Sequence, residues 1–162
     1  MNRTRNATNS NLSIQELPYQ KYYSFYRQKI ERGLAMEEKN LRGRRRILYV
    51  LTKGIEDPEI AYIPFLLATS AAAMDSEASI FFIGEGVTVL KNDVTESVRV
   101  GNLPPLRFVI EQALQAGVGL EVCDESCMIR GLVERDLIDN ATIIGATTLN
   151  DRMIQSDKII SF

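Results

Sequence analysis

Two cysteines stand four residues apart in Val122-Cys123-Asp124-Glu125-Ser126-Cys127-Met128-Ile129-Arg130-Gly131, and the chain has no others and no histidine. Four chemistries compete for such a pair. A nucleophilic or sulfur-carrying thiol needs an accessible, partly ionised cysteine with donors around it. A redox dithiol needs β-carbons about 3.5–4.5 Å apart, and positions four apart on a helix lie about 5–6 Å apart, so the loop would have to relax slightly. A metal site needs more ligands than two thiols, and Asp124 and Glu125 can only supplement them, so no metal is expected. Two small buried hydrophobes need nothing beyond a core, but the polar neighbours Asp124, Glu125 and Ser126 argue against burying the whole stretch. Without histidine, Ser-His-Asp and Cys-His catalysis are excluded, and the commonest metal ligand is missing.

The elements around the pair say where the thiol should sit. Gly119-Leu120-Glu121-Val122 reads as a β-strand that ends at Cys123. A helix start follows, with Asp124 or Ser126 placed to cap its free amides. A thiol at that junction lies at the carboxyl end of a strand, where ligands bind in open α/β sheets. The helix terminus and Arg130 would favour its anion, so Cys123 is the expected nucleophile, with Cys127 as its companion and Arg130 as the anion-stabilising group.

The rest of the chain alternates strand and helix. Ile47–Thr52 and Ala78–Ile83 are almost continuously apolar, as strands covered on both faces must be. Between them, Asp57-Pro58 opens an alanine-rich helix to about Met74, with Pro64 expected to kink it. Gly54 closes the first strand, and Gly84-Glu85-Gly86 closes the second. These glycines permit close backbone approach and, with Glu85, are candidates to line a small-ligand cleft. They lack the third glycine of a phosphate-binding fingerprint. Residues 91–103 read as loop, Pro104-Pro105 open a helix to Ala116, Ala141–Ile144 is a further strand, and Thr147 or Thr148 caps a helix to about Gln155. Lys158–Phe162 is a final strand. This order predicts parallel strands joined by right-handed crossovers, hence a three-layer α/β/α sandwich around a mainly parallel five-stranded sheet.

Residues 1–45 are expected to be an N-terminal extension and residues 46–162 the α/β domain. The extension starts as a mobile Asn/Ser/Thr-rich segment. A helix over residues 17–40 then places Tyr22, Tyr26, Ile30 and Leu34 on one face. Arg42, Arg44, Arg45 and Arg46 form a basic run that reads as a solvated strand entry. The net charge of −2 offers no field for nucleic acid. The polar first residues lack the apolar centre of a secretory signal, and no apolar stretch is long and clean enough to span a membrane. A cytoplasmic, reducing location is the expectation, with no cofactor.

From about Ile47 to Phe162 the sequence resembles the DsrE/DsrF-like (TusD-like) family of sulfur-relay proteins. The match rests on Ile47-Leu48-Tyr49-Val50-Leu51-Thr52-Lys53-Gly54, on Phe81-Phe82-Ile83-Gly84-Glu85-Gly86-Val87, on Cys123 seven residues before Arg130-Gly131, and on Ser156–Phe162. The resemblance implies assembly as a homo-oligomer, trimer or hexamer. It also implies sulfane sulfur held as a persulfide on Cys123, received from one protein thiol and passed to another. Cys127 is outside the family's core pattern, which leaves a second class of function open, a redox or sensing protein using a Cys123–Cys127 disulfide. A third is a non-catalytic oligomeric binding module.

Overall fold

The computed structural model describes residues 44–162. The expected mobile start, the helix over residues 17–40 with its aromatic stripe, and Arg42 lie outside the described residues. The elements run β1 (Arg46–Leu51), α1 (Pro58–Ala73), β2 (Glu77–Phe82), α2 (Asn92–Ser97), α3 (Leu106–Gln115), β3 (Gly119–Cys123), α4 (Asp124–Ile129), β4 (Ala141–Ile144), α5 (Ala146–Gln155) and β5 (Lys158–Ser161). The five strands form one sheet in the order β4-β3-β2-β1-β5. Every neighbouring pair is parallel.

Helices cover both faces for a topological reason. The chain steps β1 to β4 in one direction, so its right-handed crossovers leave α1 to α4 on one face. It then returns to pair β5 with β1, which puts α5 on the other. Leu48, Leu51, Ile80, Phe81, Phe82 and Val122 are buried to 2% exposure or less. Each such side chain contributes about 1.5–3 kcal/mol on leaving water. α1 begins as its sequence dictates. Asp57 caps it by accepting from the Ile60 amide at 3.4 Å, and Pro58 takes the first turn. It runs on through Pro64, and Phe65 packs against Phe82 with ring centroids 5.7 Å apart.

Two local expectations are corrected. Residues 92–97 are helical rather than loop. Six residues are too few to show a helical period, and tertiary contacts hold them: Val94 and Thr95 are buried, and Asn92 Nδ2 donates to the Leu137 carbonyl at 2.9 Å. Neither Thr147 nor Thr148 caps α5. Gly145 occupies that position, with both threonines inside the helix. Of the arginine run, Arg44, Arg45 and Arg46 are described, and all three are exposed at the entry to β1. Arg44 pairs with Asp75 at 2.9 Å and Arg46 with Glu77 at 3.1 Å, all half-exposed or more.

All strands point the same way, so their carboxyl ends share one edge. Leu51 pairs with Phe82, Phe82 with Val122, and Cys123 with Ile144. That register collects Gly54, the Gly84–Gly86 turn, Cys123 and the start of α5 at a single rim.

Candidate functional site

Cys123 ends β3 and occupies the N-cap position of α4, with extended backbone angles (φ −66°, ψ 121°). The expected cap is absent, because neither Asp124 nor Ser126 closes the helix start. Asp124 is already the first helical residue, and Ser126 Oγ turns away to accept the Gly84 amide at 3.0 Å. That bond ties the glycine turn after β2 to the cysteine segment. α4 has only six residues, so its dipole offers little to an anion.

Both thiols are free and both are buried, Cys123 to 6% exposure and Cys127 to 2%. The stretch as a whole stays open, with Glu125, Met128 and Ile129 exposed, but the thiols do not, which corrects the expectation of an accessible thiol. Cys123 lies under the segment's own side chains: its Sγ donates to Glu125 Oε2 at 3.2 Å, and Glu125 itself is exposed. Burial pushes the Cys127 thiol up from its ordinary range. Negative charge on Cys123 and Asp124 adds to that, and the Arg130 cation opposes it.

Arg130 does not reach out to solvent. Nη2 meets Glu85 Oε1 at 2.6 Å and Nη1 donates to the Ser126 carbonyl at 3.0 Å. Its third donor, Nε, is buried without an acceptor. The guanidinium is held more firmly protonated by the Glu85 bond first, with smaller contributions from Cys127 and Cys123. Glu85 in turn is held below the usual carboxylate range, chiefly by the same bond. Glu125 is also held low, by its own backbone amide first, then by the Cys123 thiol and, more weakly, by the Ala146 amide at the start of α5.

The structure thus gathers Cys123, Cys127, Arg130, Gly84 and Glu85. Gly54 and Gly86 are at the same rim but are buried and face protein, not an open cleft. A β-carbon on Gly54 would come within 2.7 Å of Thr88 Oγ1 and 2.8 Å of the Glu85 carbonyl oxygen. One on Gly86 would run into the Leu51 carbonyl. Sequence reasoning missed Glu125 as a partner of the thiol. Its signal was position alone, two residues after the nucleophile on a helix start. Among the described residues no cluster of three or more His, Cys, Asp or Glu side chains could hold a metal ion. No described helix is long and apolar enough to cross a membrane.

A parallel α/β sandwich with a free thiol at the carboxyl edge of its sheet is the class that fold and site define. The DsrE/DsrF-like family profile matches residues 45–162, and the chain belongs to that family. Among its relatives is an uncharacterized protein of Methanocaldococcus jannaschii, MJ0760, 29% identical over 76% of this chain but only 45% of its own length. A second from that organism, MJ0989, is 28% identical over 70% of this chain and 96% of its own length. Protein TusC of Buchnera aphidicola is 30% identical over 59% of this chain and 81% of its own. The YchN protein of E. coli shares the fold with a TM-score of 0.56 at 15% identity, covering 74% of this chain and all of its own. MTH1491 of Methanobacterium thermoautotrophicum does so with a TM-score of 0.57 at 16% identity, covering 73% and 99%.

Proposed function

We propose that this protein is a sulfur carrier of sulfurtransferase type, holding sulfane sulfur as a persulfide on Cys123 and passing it to a partner thiol. Family membership and the likeness to a TusC protein support the sulfur-relay reading. The observation that carries it to this site is Arg130. Its Nε is a buried N–H with no acceptor, on a cation whose charge acts on both cysteine sulfurs. A buried donor without a partner costs about 1–3 kcal/mol, and an added anionic sulfur would satisfy it.

The chemistry needs no histidine. The Cys123 sulfur attacks the outer sulfur of a donor persulfide and forms a new S–S bond. The donor's own S–S bond breaks, its electron pair leaves on the donor sulfur, and the Cys123 proton goes with it. An acceptor thiol later repeats the exchange and restores Cys123. Burial pushes the Cys127 thiol up, which keeps it protonated at neutral pH. Its role is to release the sulfur a second way: its sulfur attacks the Cys123 sulfur, a Cys123–Cys127 S–S bond forms, the bond from Cys123 to the outer sulfur breaks, that sulfur leaves as hydrosulfide, and a partner dithiol then reduces the disulfide.

The test is mass spectrometry after incubation with a polysulfide. We expect an adduct of about 32 Da, one sulfur atom, on the peptide carrying Cys123 and none in Cys123→Ser. The same adduct in both proteins would remove the carrier reading. The redox reading has its own outcome: a Cys123–Cys127 disulfide at a defined potential, with no persulfide surviving in Cys127→Ser.

Donor and acceptor are proteins in this reading, and the carrier works as a homo-oligomer in the cytoplasm. Apolar surface along the exposed β5 edge of the sheet and on α5 supports assembly. All of β5 is exposed, including Ile159 at 47% and Ile160 at 40%, and Ile154 of α5 is 84% exposed. Sedimentation should show a trimer or hexamer, and a monomer at micromolar concentration would refute that part.

A further inference from the structure

We infer that Glu125 sets the partner specificity of Cys123, favouring donors and acceptors with a cationic side chain beside their reacting sulfur and disfavouring anionic ones. The inference rests on the carrier reading above and adds to it the chemistry of the partner.

The charges that meet the thiol are unequal. Arg130 is the cation nearest in kind, but Glu85 engages it at 2.6 Å and offsets it. Glu125 accepts the thiol itself at 3.2 Å, and Asp124 follows directly in the chain. No described salt bridge neutralises either carboxylate. Glu125 is moreover tied to the site: it accepts the Cys123 thiol at 3.2 Å, and its carboxyl is held low by its own amide first, then by that thiol, the Ala146 amide and the Asp124 side chain, which favours the charged form. The thiol is 6% exposed and its carboxylate partner is exposed, so a reagent approaching the sulfur meets that charge first.

Reactive sulfur arrives and leaves as an anion. A free polysulfide therefore approaches against Glu125. A protein persulfide flanked by lysine or arginine places a cation against Glu125 in the encounter and cancels the repulsion. The transfer itself is unchanged: the Cys123–S bond forms, the donor S–S bond breaks, and the donor leaves as its thiolate or thiol. Glu125 touches the incoming partner without exchanging atoms with it, which makes it a specificity group and not a nucleophile.

Two synthetic peptide persulfides test this, identical except that lysine flanks the persulfidated cysteine in one and glutamate in the other. The readout is the initial rate of the one-sulfur adduct on Cys123. A contact between unit charges in water is worth a few-fold in rate, and reversing the flanking sign compounds it, so the lysine peptide should lead by about tenfold in wild type. That lead should shrink to about twofold in Glu125→Gln, an isosteric change that keeps an oxygen for the thiol. It should also shrink for wild type in about 0.5 M salt, a measurement independent of any effect of the substitution on folding. Equal rates for the two peptides in wild type, or the same ratio in wild type and Glu125→Gln, would overturn the assignment while leaving the carrier reading intact. Absence of the adduct with both peptides and with polysulfide would overturn the carrier reading and this inference with it.

Discussion

Replacing Gly86 with alanine tests how the rim around Cys123 is assembled. Gly86 is buried, and its amide donates to the carbonyls of Thr52 at 3.2 Å and Ile83 at 3.1 Å. An added methyl would overlap the Leu51 carbonyl oxygen, lying 2.9 Å from its carbon and 3.5 Å from Leu51 Cγ. That carbonyl cannot turn aside freely, because it accepts the Ile83 amide at 3.0 Å where the interior strand β1 ends. Overpacking costs about 1–3 kcal/mol. Disturbing one buried hydrogen bond adds about 1 kcal/mol. Alanine's smaller unfolded-state entropy returns about 0.4–1 kcal/mol. The net expectation is a loss of about 2–3 kcal/mol, or about 10 °C in melting temperature for a domain of this size. Thermal melts and urea titration at an unchanged m-value would read it. Gly119→Ala is the control: its β-carbon would lie 3.4 Å from the Ser79 β-carbon, an ordinary contact, and the change should stay within about 1 kcal/mol. A Gly86→Ala protein melting within about 2 °C of wild type would refute the close approach of the two turns.

Two further outcomes follow from the charges. Glu121 sits inside the sheet's α5 face at 8% exposure, with Oε1 on Arg152 at 2.8 Å and Oε2 buried without a partner. Arg152→Met should therefore cost about 1–2 kcal/mol in urea titration, less than a fully buried pair because Arg152 is itself half-exposed, and adding Glu121→Gln should recover part of it. At the other end of the sheet, Glu85 and Glu125 are both held below the usual carboxylate value of 4.5. Their folded forms bind protons less tightly than their unfolded forms, so what they contribute is present above that value and lost as pH falls through the lowered ones. Unfolding titrations below about pH 4.5 should show a shallower acid loss in Glu85→Gln and Glu125→Gln, and a slope equal to wild type in both would contradict the geometry.

The order of strands and helices was open to inspection because β1 and β2 are unbroken apolar runs over Ile47–Leu51 and Ile80–Ile83, the first entered from Arg46 and the second closed by Gly84. A sheet covered on both faces leaves that trace in any sequence. Asn92–Ser97 left none, since six residues make too little helical period, and what holds them is a carbonyl at Leu137 far along the chain. The expected cap at Asp124 or Ser126 failed for a related reason. The local preference was sound, but the Gly84 amide competes for the serine hydroxyl across the rim.

Composition and spacing alone determined the parallel α/β class, the lack of histidine chemistry, and the placing of Cys123 at a strand end before Arg130. Those properties depend on which residues are near in the chain. The tertiary structure decided whom each group meets: Arg130 with Glu85, Ser126 with Gly84, and the Cys123 thiol with Glu125 in place of open solvent. Such pairings join separate turns at one edge of the sheet, and a charge or a hydroxyl takes the partner that the fold brings within about 3 Å, whatever its sequence neighbours would offer.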